Sequence, residues 1–588
     1  MIQKIVAGVC LIILTVAFAG AASKPNLVLI TLDSARADRM GFLGGKGALT
    51  PNLDRLAEES IVFEHAYAQA PSSVVSHATI LSGTYPQSTG MTEIGCMLSS
   101  SLPHLSELLK SQAYRTAAFV GSIDLDPWNG LAQGFDRGFQ EYDAGFRPAI
   151  PGDARPPVTE RPGNQVVASA VAWLDHNVKK QGQAQEPFFL WVHIADARAA
   201  GASYNSAITK ADAAIGKLVR ALQQRNIYGN TAVIVVADHG ESLGAHGEDT
   251  HGIFLYDETI HVPLLIKLPA GQPAAKLAAT RVGAKARLVD IAPTLLEIAA
   301  LPVPSQMLGQ SLLRIAMSKS GGAGSDQPVY SRSDLPQRGF GWSPLESWRA
   351  GKYLYIRAPK PELYDLAADP GAVHNLAQTS KATLDTMAAQ LANFDRHFSD
   401  EAGKSSAELS STELQKLASL GYVGLQRSSV PADAVAGTDP KDQIATANKV
   451  LGLVWGRAPS PVQAERSSAV SQQKLALVIA TLEPIVSADP NLYLAQYTLG
   501  VALARKAQYT EAVKHLHKAI ELQPDSAWAH YEIGASLLRT GDFKTAVVHL
   551  EIATGRLPGF SPDHAALAEA YEHLGRAEDA KKEREKVK

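Results

Sequence analysis

The sequence predicts an α/β fold class, a mostly parallel sheet sandwiched by helices with a small C-terminal α+β subdomain, followed by an all-α solenoid of helical repeats. Up to about residue 320, continuous apolar runs alternate with amphipathic stretches, as expected for parallel strands buried by crossover helices. A 34-residue period then runs through the C-terminal part. The 588 residues are also too many for one core, so we expect several domains.

The N-terminus has the pattern of a secretion signal, which we place at residues 1–21. Lys4 supplies a positive charge, Ile5–Phe18 is an apolar run too short for a comfortable membrane span, and Ala19–Ala21 offers small residues for cleavage. We therefore expect an exported protein, periplasmic or secreted, with no transmembrane helix after cleavage. An uncleaved N-terminal anchor is the alternative. Cys96 would then be the only cysteine of the mature chain, so no internal disulfide is expected.

The α/β domain is expected at residues 22–400. Its strand candidates are Asn26–Thr31, Ile61–Phe63, Ala117–Val120, Phe188–Val192, Val233–Ala237 and Leu264–Leu268. Its helix candidates are Leu53–Glu59, Leu105–Gln112, Gln165–His176 and Ala207–Gln223. A smaller subdomain is predicted at about 325–400, from a strand at Lys352–Arg357 and the segment Glu362–Leu366. Ligands of such sheets bind beyond the carboxyl ends of the strands, so the residues that follow each strand are the candidates for chemistry.

Residues 401–445, rich in Ser, Ala, Gly and Asp, are interpreted as a linker, and residues 446–588 as a tetratricopeptide (TPR) domain. Small residues and prolines recur every 34 residues, at Pro490, Pro524 and Pro558, at Ala512, Ala546 and Ala580, and at Gly500 and Gly534. This is the TPR signature, because the small residues allow paired helices to approach closely. A plain helical bundle is the alternative. A TPR groove predicts a protein partner. The balance of 55 basic against 58 acidic residues does not suggest nucleic-acid binding.

Two predicted strands end in groups that bind metals. Asp33 follows the first apolar run, and a carboxylate there costs desolvation unless it is paired. Asp238 and His239 follow Val233–Ala237 and offer an oxygen and a nitrogen ligand to a divalent cation. Considered singly, Asp33 fits a helix cap equally well, and His239 fits an ordinary hydrogen-bonded histidine.

A third feature is the serine-rich segment that begins at Pro71. Ser73 stands just before an apparent helix that begins near Ser76. The amides of a helix N-terminus favour an anion, and they would stabilise an alkoxide or a bound phosphate there. The alternative is that Ser73 or Ser76 is only an N-cap.

Together these segments resemble the sulfatase family of the alkaline-phosphatase superfamily, over about residues 25–400. The resemblance is closest to sulfatase-like proteins with C-terminal TPRs, which have a Ser-His pair like Ser76-His77 in the same helix. It rests on the order of Leu32-Asp33-x-x-Arg36-x-Asp38, Thr50-Pro51-Asn52-Leu53-Asp54, Ser73–Gly83, Asp238-His239-Gly240-Glu241, Leu288–Leu295 and Glu362-Leu363-Tyr364-Asp365-Leu366.

The resemblance implies roles for single residues. Ser73 falls where sulfatases carry the residue oxidised to formylglycine and where alkaline phosphatases carry a nucleophilic serine. One divalent metal ion (Ca, Mg, Mn or Zn) is implied at Asp33, Ser73, Asp238 and His239. Catalytic roles are implied for Ser73, His77, His251 and Arg198. His251 would protonate the leaving oxygen or bind the transferred group, although it and the nearby His246 fit surface loop residues as well.

Some positions depart from the family pattern. Val75 and His77 stand where the formylglycine signal has Pro and Arg, so we expect Ser73 to remain unmodified. Ser34 replaces a second acidic metal ligand, and Arg198 stands where relatives commonly carry histidine. Arg198 retains the ability to bind an anionic group.

The sequence therefore predicts a metal-dependent hydrolase of small sulfate or phosphate esters that carries a TPR protein-interaction domain. One alternative is a catalytically degenerate scaffold that acts through its TPRs. A phosphoethanolamine-type transferase is a weaker alternative, because such enzymes normally carry membrane spans.

Overall fold

The structure of the protein is a computed structural model. It describes residues 24–91, 97–128, 132–146, 160–178, 186–198, 204–318, 327–399, 437–454 and 468–587. The predicted signal at 1–21, Cys96 and most of the predicted linker lie outside these residues. None of the described helices is long and apolar enough to cross a membrane.

The described strands of the α/β domain form one nine-stranded sheet. They are β1 (Asn26–Leu32), β2 (Ile61–Tyr67), β3 (Arg115–Phe119), β4 (Glu141–Asp143), β5 (Phe188–Ile194), β6 (Thr231–Ala237), β7 (His261–Lys267), β8 (Arg281–Val282) and β9 (Ala286–Arg287). The order is β4-β3-β5-β1-β6-β7-β2-β8, and β9 pairs with β2. All six apolar runs are strands, which confirms the predicted fold class. The pairs β6–β7 and β2–β7 are antiparallel, so the sheet is mixed at that side.

Helices connect the strands of this sheet, and three more follow its last strand. The described ones are α1 (Pro51–Ala57), α2 (Ser73–Ser82), α3 (Pro86–Thr89), α4 (Leu105–Ser111), α5 (Gly163–Asn177), α6 (Tyr204–Gln224), α7 (Asp257–Ile260), α8 (Ile291–Ile298), α9 (Leu312–Met317) and α10 (Leu335–Phe340). Strands β1, β5 and β6 are buried along their whole length. The centre of the core therefore lies where these three parallel strands adjoin.

A second sheet follows, with the antiparallel order β10-β11-β12-β13. Its strands are Val329–Ser333, Leu345–Ala350, Tyr353–Arg357 and Glu362–Asp365, and the helix α11 (Lys381–Ser399) packs on it. Both predicted elements of the small subdomain, the strand and the Glu362–Leu366 segment, lie in this sheet.

The C-terminal part is helical. Its helices are α12 (Ile444–Val454), α13 (Ser468–Ala488), α14 (Tyr493–Arg505), α15 (Tyr509–Leu522), α16 (Ala527–Thr540), α17 (Phe543–Arg556), α18 (Ser561–His573) and α19 (Ala577–Arg584). The helices from α14 onward pack in pairs, α14 with α15, α16 with α17, and α18 with α19. A Cβ on Gly534 would lie 2.5 Å from Leu550 Cγ, which shows how closely paired helices approach. Ala512 and Ala546 are fully buried, so the small residues lie at helix crossings as predicted.

The C-terminal helices also contact the α/β domain. Helix α14 packs on α10, where a Cβ on Gly339 would lie 2.7 Å from Leu494 Cδ1. Arg338 pairs with Asp525 at 3.3 Å, and Gln133 donates a hydrogen bond to the backbone carbonyl of Arg556. The first repeat helix is thus covered in part by the chain's own α/β domain.

Candidate active site

The register of the central strands brings two carboxylates together. Strands β1 and β6 are parallel neighbours in which Leu32 faces Ala237, so Asp33 and Asp238 leave the sheet side by side. The backbone N–H of Ser34 donates to Asp238 Oδ1 at 3.0 Å, and Ser34 has the left-handed φ of 56°. Both carboxyl groups are fully buried. The predicted convergence of Asp33 and Asp238 is therefore present.

Helix α2 presents Ser73 to these carboxylates. The helix begins at Ser73, three residues before the predicted start, because Ser72 is extended and Ser73 already has helical geometry. The interpretation of Ser76 as an N-cap is therefore wrong. Its hydroxyl lies inside the first turn and donates to the carbonyl of Ala70 at 2.9 Å.

The Ser73 hydroxyl lies between Asp33 and His239. Ser73 Oγ is 3.0 Å from His239 Nε2 and 3.4 Å from Asp33 Oδ1. His239 Nδ1 is 2.8 Å from the carbonyl oxygen of Gly240, to which only an N–H can donate. Nε2 of a neutral His239 therefore carries the lone pair that faces Ser73.

The unpaired atoms of this cluster fit a cation. The ligand atoms of Asp33, Asp238 and His239 lie within 4.8 Å of one another, and all three residues are buried. Within the described residues, Asp33 Oδ2 and Asp238 Oδ2 have no hydrogen-bond partner. Burial, with the Asp33 charge adding to it, raises the pKa of Asp238. Buried carboxylates without partners are costly, and a divalent cation removes that cost.

His77 is held by the protein on both sides of its ring. Nδ1 is 2.7 Å from the carbonyl oxygen of Ser73, to which it must donate, and Nε2 is 3.0 Å from Thr31 Oγ1. Trp191 Nε1 donates to the same Thr31 oxygen at 2.9 Å. Burial lowers the pKa of His77 well below its usual value, so it is neutral. The structure thus places His77 against the backbone of Ser73, where it fixes the first turn of α2.

Arg198 is held by two partners outside the cluster. It forms an ion pair with Asp124, and its Nη1 donates to Ser122 Oγ at 2.5 Å. Its pKa is raised because the surrounding carboxylates of Asp124, Asp33 and Glu160 outweigh the effect of burial. Arg198 therefore remains a cation within electrostatic reach of Asp33, as binding of an anion would require.

His251 also reaches the site. Its ring centroid lies 4.4 Å from that of His239, and its Nδ1 lies 3.1 Å from Glu241 Oε2. Burial lowers the pKa of His251 well below its usual value and raises the pKa of Glu241 to about 8. A hydrogen bond between the two uncharged side chains is consistent with both shifts. His246 does not join them, because it stacks on Tyr256 with ring centroids 3.7 Å apart.

Two further residues of this cluster were not assigned from the sequence. His193 lies in β5 opposite Thr31, and its Nε2 is 3.7 Å from Asp33 Oδ2. Glu241 partners His251. The signal that could have identified His193 is a histidine inside the otherwise apolar run FFLWVHI. For Glu241 the sequence offered only its place after Asp238-His239-Gly240.

The segment that carries His251 is held by the C-terminal part of the chain. The side-chain amide of Asn448 in α12 donates to the carbonyl of Gly247 at 2.7 Å and accepts from the backbone N–H of Asp249 at 3.0 Å. Leu243, Gly244, His246 and Gly247 of this segment all have left-handed φ. The turn just before α12 is anchored to the second sheet, because Lys441 pairs with the buried Glu362 at 2.5 Å.

Two family models match the α/β part of the chain. The sulfatase model matches residues 25–301, and the model of the N-sulphoglucosamine sulphohydrolase C-terminal region matches residues 249–396. A TPR repeat model matches residues 500–541, which confirms the nature of the C-terminal repeats.

Similar proteins carry sulfatase names. An ulvan-active sulfatase of Formosa agariphila is 27% identical over 60% of this chain and 77% of its own length. N-acetylgalactosamine-6-sulfatase of Canis lupus familiaris is 27% identical over 54% of this chain and 70% of its own length.

Solved structures share the fold. The phosphonate monoester hydrolase of Agrobacterium radiobacter superposes with a TM-score of 0.52 at 19% identity, covering 64% of this chain and 96% of its own. A protein solved with its substrate D-glucosamine-2-N,6-O-disulfate gives 0.52 at 18% identity, covering 66% of this chain and 100% of its own. Residues 25–396 thus belong to the sulfatase family, within the alkaline-phosphatase/sulfatase superfamily, and are followed in the same chain by TPR repeats.

Proposed function

We propose that this protein is a metal-dependent hydrolase of small sulfate esters that uses unmodified Ser73 as its nucleophile. The observation that carries the proposal is the contact of the Ser73 hydroxyl with both Asp33 and His239, in a buried cluster in which the ligand atoms of Asp33, Asp238 and His239 lie within 4.8 Å of one another. Sulfate is favoured as the ester because the matching family models and the relatives described above are those of sulfatases.

Asp33, Asp238, His239 and Ser73 would hold the cation. When bound, it would polarise the ester oxygen and lower the pKa of the serine hydroxyl. Arg198 would hold the anionic ester oxygens, because it remains charged and lies beside the cluster. His77 would keep Ser73 in position through the backbone carbonyl of that residue.

The residues support a double displacement in which every proton is accounted for. Ser73 Oγ attacks the sulfur, its proton passes to solvent, a bond from Oγ to sulfur forms, and the bond from sulfur to the leaving oxygen breaks. The His251–Glu241 pair, joined at 3.1 Å and packed against His239, would supply a proton to that oxygen. Water then attacks the seryl sulfate, and the bond from sulfur to Ser73 Oγ breaks. One water proton restores the Ser73 hydroxyl, the other returns to the His251–Glu241 pair, and sulfate is released.

A second candidate reaction is hydrolysis of a phosphate or phosphonate monoester at the same site. The observation that favours it is that Val75 and His77 stand where the formylglycine signal has Pro and Arg, so the nucleophile would be a plain hydroxyl of the alkaline-phosphatase type. The degenerate scaffold is not favoured, because the catalytic groups converge instead of dispersing.

The test is a panel of nitrophenyl sulfate, phosphate and phenylphosphonate esters, each assayed with Ca, Mg, Mn or Zn. We expect the sulfate ester to be cleaved fastest. Ser73→Ala should lower kcat by about 10⁴-fold or more, as removal of a nucleophile does. Ser88→Ala, a serine of the next helix, is the matched control. If no ester is hydrolysed with any of these metals, the proposal is wrong and the catalytically degenerate scaffold is the better interpretation.

The remaining expectations are proposals as well. We propose export after cleavage near residue 21, which N-terminal sequencing of the mature protein tests. We also propose that the TPR repeats bind a protein partner. Because α14 already packs on α10, the partner surface would be the part of the groove formed by α16 and α18.

A further inference from the structure

A second group of potential ligands lies on the inner side of the site. His77, His193 and Asp238 are all fully buried, and their candidate ligand atoms lie within 4.8 Å of one another. Asp33 adjoins this group, because its Oδ2 is 3.7 Å from His193 Nε2. The group therefore shares its two carboxylates with the site described above.

The two oxygens of each carboxylate have different surroundings. Asp33 Oδ1 accepts from the hydroxyl groups of Ser34 and Ser73. Asp238 Oδ1 accepts from the backbone N–H groups of Ser34 and His239. Both Oδ2 atoms lack a hydrogen-bond partner among the described residues. His239 Nε2 lies 3.9 Å from Asp33 Oδ1 and 3.8 Å from Asp238 Oδ1, so His239 adjoins the Oδ1 side. A cation held there balances the charge of the two carboxylates but leaves both Oδ2 atoms without a ligand or a hydrogen-bond donor.

His193 is the observation that points to a ligand on this side. Neither of its ring nitrogens has a hydrogen-bond partner among the described residues, although the side chain is fully buried. Buried imidazoles are otherwise hydrogen-bonded on at least one nitrogen. Strand β5 fixes the position of His193 opposite Thr31, so the ring is held rigidly toward Asp33.

His77 closes this side without being a ligand itself. Its Nδ1 is 3.7 Å from Asp238 Oδ2 but is already bonded to the Ser73 carbonyl. Its ring packs edge-on against His193 with centroids 4.9 Å apart. His77 thus connects the inner ligands mechanically to the first turn of α2.

We propose that a second divalent cation binds here, ligated by His193 Nε2 and the Oδ2 atoms of Asp33 and Asp238. The inference rests on the proposed metal site at His239, with which it shares both carboxylates. A nitrogen ligand beside two carboxylates favours Zn²⁺ or Mn²⁺ over Ca²⁺ or Mg²⁺. Carboxylate-bridged ions lie about 3.5–4 Å apart in two-metal sites. The second ion would keep both aspartates ionised and would orient their Oδ1 atoms toward the first ion.

The test is the metal content of the untagged full-length chain. The protein is stripped with chelator, reloaded with Zn²⁺, separated from loose ions by gel filtration and measured by elemental mass spectrometry. We expect two Zn²⁺ per chain in the wild type, one in His193→Ala, one in His239→Ala and none in Asp33→Ala. His246→Ala, a histidine outside the cluster, is the matched control and should retain two.

A second measurement covers the case in which His193→Ala does not fold. X-ray absorption of the loaded wild type should show a zinc–zinc distance of about 3.5–4 Å, and His193→Gln should lose it. One Zn²⁺ per chain in a wild type that hydrolyses its ester overturns the second site and leaves the proposed function intact. Two ions retained in His193→Ala also overturn it. No bound ion and no hydrolysis would overturn the proposed function itself.

Discussion

Asn448→Ala tests whether the C-terminal part of the chain positions the catalytic residues. Asn448 bridges the carbonyl of Gly247 and the N–H of Asp249 through one amide group. These backbone groups belong to the segment that ends in His251, and several residues of that segment have left-handed φ. Without the bridge, the segment should relax and draw His251 away from His239.

The magnitude follows from the two hydrogen bonds. A neutral hydrogen bond contributes about 0.5–1.5 kcal/mol net to stability. The Asn448 side chain is half-exposed, so its two hydrogen bonds together should stabilise the held segment by about 1–2 kcal/mol. That corresponds to a change of about 5- to 30-fold in the equilibrium between the held and the released segment. Glu248 anchors the same segment by accepting from the N–H groups of Ile253 and Phe254. The lower part of that range is therefore expected for the fall in kcat.

The assay combines steady-state kinetics with hydrogen exchange of residues 241–255. We expect kcat to fall while KM changes little, and amide exchange in this segment to accelerate. Lys449→Ala, an exposed neighbour on the same helix, should match the wild type. A fall in kcat below twofold, with unchanged exchange, would show that the segment holds itself and that the C-terminal part only adjoins the site.

Three further outcomes are expected. Mass spectrometry of the peptide that contains Ser73 should show an unmodified serine, since Val75 and His77 do not form the modification signal, and a loss of two hydrogens would contradict this. Ala546→Trp should destabilise the repeats by about 1–3 kcal/mol, because Ala546 is fully buried at a helix crossing. Circular dichroism measures that loss, and hydrolysis of a small ester should persist. Burial raises the pKa of Glu248 to about 8 in the folded protein. The protonated form of Glu248 therefore favours the folded state: this contribution to the free energy of unfolding is complete below the pKa of the unfolded chain and is lost as pH rises through about 8. The urea midpoint should therefore be lower at pH 9 than at pH 6, and less so in Glu248→Gln, whereas equal shifts in both proteins would refute the assignment.

Much of the fold could be predicted from local patterns. The apolar runs at Asn26–Thr31, Phe188–Val192 and Val233–Ala237 are long and uninterrupted, and buried parallel strands require such runs. The 34-residue spacing at Pro490, Pro524 and Pro558 likewise identified the repeats, because closely packed helix pairs need small residues at fixed intervals. Strand β4 was missed, since Glu141–Asp143 is short and polar and is a strand only through pairing with β3.

The sequence alone determined which chemical groups end the strands, because Asp33, Asp238 and His239 follow apolar runs whose carboxyl ends must share one edge of a parallel sheet. Tertiary structure decided the rest. The register of β1 with β6 sets Asp33 beside Asp238, and no local pattern encodes that register. His193 and Asn448 are distant in the chain from the residues they contact, so only packing reveals the inner ligand and the bridge from α12. Such contacts depend on how helices and strands pack together, and the hydrophobic periodicity of a single segment gives no information about its distance from other segments.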